Sequence, residues 1–149
     1  YERMYFAVAG FSVVLEFDVD MDILAASRDD DKIAWYENDG SESFTLHVIS
    51  DSADNAISVY AADMDGDGDM DVLSASKDDD KIAWFENDGA ADPSFTAATI
   101  ATSADGAYEV FAADMDNDGD MDIISASRDD DTIAWYENDG AADIGALPR

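Results

Sequence analysis

Ile82-Ala-Trp-Phe-Glu-Asn-Asp-Gly89 decides the fold, because the stretch occurs three times. It stands earlier as Ile33-Ala-Trp-Tyr-Glu-Asn-Asp-Gly40 and later as Ile133-Ala-Trp-Tyr-Glu-Asn-Asp-Gly140. Trp35, Trp84 and Trp135 lie 49 and 51 residues apart. The two extra residues fall in one loop, where Ser41-Glu-Ser43 gives way to Ala90-Ala-Asp-Pro-Ser94. A fixed period of this length is the mark of a repeat architecture.

One unit, read in its best copy from about Ile57 to Ile100, holds four short apolar runs. These are Ile57-Ser-Val-Tyr-Ala-Ala62, Val72-Leu-Ser-Ala-Ser76, Ile82 to Glu86 and Phe95 to Ile100. An acidic loop (Asp63 to Asp71), a hairpin loop (Asp78-Asp-Asp80) and a turn at Asn87-Asp-Gly89 separate them. Short runs bounded by Asp, Asn and Gly, without a 3.6-residue period, predict an all-β repeat. Both faces of these runs are apolar or small, the pattern of a sheet covered on both sides. Radially stacked blades supply that cover, so the expected fold is a β-propeller of four-stranded antiparallel blades. A β-sandwich ranks second, since its strands show one polar face.

The chain has room for about three such blades: a degenerate one over 1–50, a second over 51–101 and an incomplete third over 102–149. The third lacks its last strand in this reading, because Ile144-Gly-Ala-Leu-Pro-Arg149 stands where an aromatic is expected. Three blades leave apolar end faces open, which is unfavourable in water. The expectation is a partial propeller belonging to a longer one, or one closed by a second copy into a six-bladed ring. The apolar run Met4 to Leu15 is too short to span a membrane. It can pass for a signal-peptide core, but the repeat register assigns it to a strand.

Composition narrows the function. Of the charged residues 37 are acidic and 7 basic, for a formal charge of -30. Such a chain lacks the basic stripe that nucleic acid requires and is repelled by anionic membrane surfaces. Hydrophobic residues make up 47%, enough for a core and more than a disordered acidic chain carries. Cysteine is absent, so neither disulfides nor thiolate metal sites are available.

The acid is concentrated in a pattern. Asp63-Met-Asp65-Gly-Asp67-Gly68-Asp69-Met-Asp71 has the form D-x-D-x-D-G-x-x-D, and Asp114-Met-Asp116-Asn-Asp118-Gly119-Asp120-Met-Asp122 repeats it. Alternate carboxylates on a tight loop converge on one point and supply the hard oxygens that Ca²⁺ prefers. Gly68 and Gly119 stand where the chain must turn sharply. The expected side-chain ligands are Asp63, Asp65, Asp67 and Asp71 in one loop, and Asp114, Asp116, Asp118 and Asp122 in the other. Asp69 and Asp120 are expected to give backbone carbonyls. An EF-hand would place Glu at position twelve of the loop, but Ser74 and Ser125 stand there, in strand-like sequence. Mg²⁺ fits less well, because it keeps several waters. The first copy, Val14 to Asp22, replaces the first Asp by Val14 and the Gly by Val19, and is a degenerate site.

These loops, set between strands and followed by a Trp-bearing strand, resemble the FG-GAP/VCBS-type repeat, the Ca²⁺-binding blade of integrin α-subunit propellers and of many secreted proteins. The resemblance covers nearly the whole chain. It implies a propeller with structural Ca²⁺ in loops 63–71 and 114–122, an extracellular setting, and a role in adhesion or recognition of a protein or glycan. The literal Phe-Gly and Gly-Ala-Pro marks of the family do not occur. Two other readings remain beside adhesion. One is a non-catalytic carbohydrate-binding module of a larger secreted enzyme, and the other an acidic protein adapted to high salt.

The runs Arg28-Asp-Asp-Asp-Lys32, Lys77-Asp-Asp-Asp-Lys81 and Arg128-Asp-Asp-Asp131 read as solvated hairpin loops screened by their own basic residues. The three Trp are expected in the core ahead of stacking on sugars, with Tyr36, Phe85 and Tyr136 on the opposite face. No catalysis is expected. His47 is the single histidine, and the carboxylates cluster in repeats where a catalytic pair would be unique to one copy.

Overall fold

The computed structural model describes residues 6–8 and 11–13 as backbone and residues 21–140 in full. All regular structure among them is β. The first sheet runs β1 (Phe6–Val8), β2 (Phe11–Val13), β3 (Ile23–Ser27), β4 (Lys32–Asn38) and β5 (Phe44–Ser50) in sequence order. The second has β6 (Ala56–Ala62), β7 (Asp71–Ser76), β8 (Lys81–Asn87) and β9 (Phe95–Ala101). The third has β10 (Ala107–Ala113), β11 (Asp122–Ser127) and β12 (Thr132–Tyr136). Every neighbouring pair is antiparallel, and the register repeats: Leu24, Leu73 and Ile124 face Trp35, Trp84 and Trp135.

The middle sheet is the four-stranded unit that the apolar runs predict, with each end within a residue of its expected place. The first sheet departs from it. Where the run from Met4 to Leu15 is expected as one strand, its described residues form two, β1 paired antiparallel with β2, which makes that sheet five-stranded. The expected end of the third unit, after Gly140, lies outside the described residues. Among the described residues no helix is long and apolar enough to cross a membrane.

The sheets stack face to face, as the double-sided apolar pattern requires, and they do not close into a ring. Leu24, Ala26, Ile33 and Trp35 of the first sheet meet Val59, Ala61, Val72, Ala83 and Phe85 of the second. The second turns Leu73, Ala75, Ile82 and Trp84 to the third, which answers with Val110, Ala112, Ile123, Ala134 and Tyr136. One face of each blade thus takes the Trp row and the other the Phe85/Tyr136 row.

The acidic hairpins also join blades. Asp31 and Asp80, the third Asp of their runs, take the left-handed conformation (φ 58° and 54°). Ala53 and Ala104 donate backbone N–H groups to the carbonyls of Asp31 and Asp80, each at 3.0 Å. Asn55 N–H reaches Asp31 Oδ1 at 3.0 Å and Gly106 N–H reaches Asp80 Oδ1 at 2.9 Å. Asp suits both tasks, since its short side chain tolerates positive φ and accepts backbone donors. The solvated-loop reading therefore holds for exposed Asp29, Asp30, Asp129 and Asp130, and misses Asp31 and Asp80, and also Asp78, which accepts Asn55 Nδ2–H at 2.9 Å. Replacing Asp80 by alanine is expected to lower stability by about 1–2 kcal/mol, from a lost cap and a strained φ. Urea unfolding of the variant against Asp29→Ala checks it, the control, whose side chain is 91% exposed, being expected to change little.

Candidate metal centres

Each Asp loop joins the first strand of its sheet to the second. Loop 63–71 leaves β6 and enters β7, and loop 114–122 leaves β10 and enters β11. The two fold alike. Asp63 accepts from Gly66 N–H at 2.8 Å and Gly68 N–H at 3.1 Å. Asp114 accepts from Asn117 N–H at 2.7 Å and Gly119 N–H at 3.2 Å. Asp65 and Asp67 each accept the N–H two residues ahead, at 3.2 and 2.9 Å. Asp116 and Asp118 do the same at 3.2 and 3.0 Å. Gly68 and Gly119 have φ of 100° and 104°, the turn expected of them. The fourth position is also left-handed, at Gly66 (77°) and Asn117 (64°), a constraint not read from the sequence.

This folding gathers oxygens. Carboxylate atoms of Asp63, Asp65 and Asp67 lie within 4.8 Å of one another, as do those of Asp114, Asp116 and Asp122. Burial and then the neighbouring charges push the carboxyls of Asp65 and Asp116 above their ordinary range. A group of like charges held this close is destabilised until a cation or proton neutralises it. The donors are all hard oxygens, and the loop N–H bonds use part of their lone pairs, so the set fits a hard divalent cation. Asp71 and Asp118 stand outside these two closest groups.

Asp71 has a second task. It is 1% exposed, and its two oxygens accept Met64 N–H at 3.1 Å and Asn87 N–H at 2.8 Å. Asp122 repeats both bonds, to Met115 N–H at 2.9 Å and Asn138 N–H at 2.8 Å. Asp22, at the end of the degenerate copy, is equally buried and accepts Asn38 N–H at 2.8 Å. The ninth Asp of each copy therefore clamps the Asn of the repeated Glu-Asn-Asp-Gly stretch, including in the copy with Val14 in place of the first Asp. Whether loop 14–22 can hold a cation lies outside the described residues. Burial pushes the Asp71 carboxyl up to about 6, against the pull of the Asn87 and Met64 donors.

The Asn residues are the site members that motif reading missed. Asn38, Asn87 and Asn138 hydrogen-bond the carbonyls of Met21, Met70 and Met121 at 3.2, 3.1 and 3.1 Å, tying β-strand end to loop end. Asn138 also reaches across to the Met64 carbonyl at 2.8 Å, joining the third blade to the loop of the second. The signal was present in the invariant Asn before each Asp-Gly. The glycine after it is needed too: Gly89 and Gly140 are left-handed, and a Cβ on either would strike the carboxylate of Asp69 or Asp120. Those two side chains lie against the turn.

Trp35 and Trp84 are buried in the blade interfaces, in keeping with the core role over a sugar platform; Trp135 is half-buried. Trp35 stacks on His47 at 4.3 Å between ring centroids, and His47 pairs with Glu37 at 2.9 Å.

Blade-like antiparallel sheets, with an Asp loop between the first two strands of the second and third, define a β-propeller-like repeat protein. The chain belongs to the FG-GAP-like repeat family, which matches residues 17–74 and 63–125. Each match runs from one Asp loop through a Trp strand and beyond the next Asp loop, so it includes the junction between blades. No curated protein and no solved structure matches the chain.

Proposed function

We propose that this chain is a calcium-binding propeller-repeat module for extracellular adhesion or ligand recognition, in which the ions are structural. The observation that carries the reading is the convergence of Asp63, Asp65 and Asp67, and of Asp114, Asp116 and Asp122, on two loops that share their turn hydrogen bonds. When bound, Ca²⁺ supplies charge neutralisation and a fixed loop shape, with no chemical step. Two ions take the formal charge from -30 to about -26, so the surface stays strongly acidic.

Calorimetric titration of the chelator-treated protein with Ca²⁺ tests this. Two equivalents are expected for the wild type and one each for Asp65→Asn and Asp116→Asn. Two equivalents in both variants, or none in the wild type, would remove the assignment of these loops.

A further inference from the structure

A cleft of about 210 Å³ opens between the first and second blades. Ser50, Ser52, Ser74, Ser76 and Thr99 line it with hydroxyls, and Ala83, Ala98 and Phe85 give it an apolar wall. Ser74 and Ser76 are 1% and 0% exposed, and neither Oγ has a hydrogen-bond partner among the described residues. Burying a hydroxyl that way is unfavourable, and the third blade shows how the repeat avoids it. Ser125, at the position of Ser74, donates to the Tyr136 hydroxyl at 3.4 Å. Phe85 replaces that tyrosine in the second blade, and Ala25 replaces the serine in the first. Of the three copies, the second therefore keeps the serine and lacks the phenol that would pair with it. Ser50 and Lys81 also stand where the seam of the second and third blades has Ala101 and Thr132.

We propose that this cleft binds a small neutral polyol of the hexose class, held by the Ser74 and Ser76 hydroxyls. The inference rests on the recognition half of the function above and not on the cations. Size selects a small ligand: the cleft lies below the roughly 300–1,000 Å³ of drug-sized sites and holds the volume share of about seven waters. Charge selects a neutral one. Lys81, the charged residue of the lining, is already paired with Asp79 at 2.5 Å, and a chain of charge -30 repels anions. A cation would meet the Lys81 ammonium. The mixed lining selects a polyol. Serine hydroxyls both donate and accept, as the ligand's own do, and each can turn toward it between staggered χ1 wells. The ligand's C–H groups suit Ala83, Ala98 and Phe85, from which poorly ordered water is displaced with a gain.

Amide NMR of the full chain in calcium, titrated with glucose, galactose, mannose or sorbitol, tests the proposal. At least one of these probes is expected to shift the Ser74, Ser76 and Ala83 resonances saturably while those of the Asp loops stay in place. Phe85→Tyr restores the tyrosine that pairs with serine in the third blade, and is expected to weaken that binding about tenfold, the scale of one lost hydrogen bond. Calcium titration of the same variant is expected to match the wild type, so loss of the polyol and loss of the cation sites are told apart. If Phe85→Tyr loses its β-sheet circular dichroism, Ser74→Ala, which copies Ala25 of the first blade, takes its place and is read the same way. A methyl glycoside that binds as well as its hexose makes the ligand a glycan end, and one that does not makes it a free sugar; both keep the proposal. Shifts with none of the probes, shifts scattered over the surface, or binding that survives the variant overturn it and leave the cleft to ordered water.

Discussion

Replacing Asp71 by alanine is expected to lower the melting temperature by about 5–15 °C. The carboxylate is buried and receives Met64 N–H and Asn87 N–H, one on each oxygen. Alanine leaves both donors without a partner, at about 1–3 kcal/mol each, offset in part by relief of the buried charge. A chain of this size loses roughly 2–4 °C per kcal/mol. Asp22→Ala is expected to move in the same direction, because the clamp on Asn38 persists where the first loop ligand is Val14. Equal stability of Asp71→Ala and wild type in calcium-free scanning calorimetry would mean that the clamp has no weight. The pH dependence follows from the raised carboxyl, about 6 when folded against 3.8 ordinarily. A raised folded pKa contributes stability that is fully present below 3.8 and lost as pH rises through about 6. Metal-free wild type therefore gains from this group on acidification below pH 6, and Asp71→Ala does not.

Millimolar calcium is expected to raise the melting temperature of the wild type by roughly 5–10 °C for each occupied loop. A site of about 10 μM affinity at a hundredfold excess contributes about 2.7 kcal/mol, which the same temperature scale converts. The gain has a local origin, because like charges gathered within 4.8 Å oppose the folded loop until a cation joins them. Mg²⁺ at equal concentration is expected to give a smaller shift, since it surrenders its waters reluctantly. Protons compete for the gathered carboxyls, of which Asp65 and Asp116 lie above their ordinary range, so the calcium-induced rise is expected to shrink on acidification. A scan in chelator that overlays the scan in calcium would sink the cation assignment. The Asp71 clamp would survive that result, because its bonds are to the chain's own backbone.

The repeat itself was legible without coordinates. The recurring Ile-Ala-Trp stretch and the double-sided apolar runs specify the strands and their order, since both depend on residue pattern alone. The Asp loops were legible as cation-type loops for the same reason: alternate carboxylates on a short turn have few other shapes. Asn87, Asn138 and the third Asp of each hairpin were not, because their partners lie 16 to 74 residues away. Local pattern places a residue on a strand or turn; it does not say which distant backbone donor that residue will meet.

Strand pattern, blade period and loop chemistry were therefore written in the chain's own order of residues. Which Asp clamps a neighbour and which Trp is sealed between two sheets depend on how the sheets stack. Ile33, Ile82 and Ile133 occupy the same repeat position, yet two are sealed and one is 71% exposed. The difference is made by the neighbour, because burial belongs to the packed face and not to the residue.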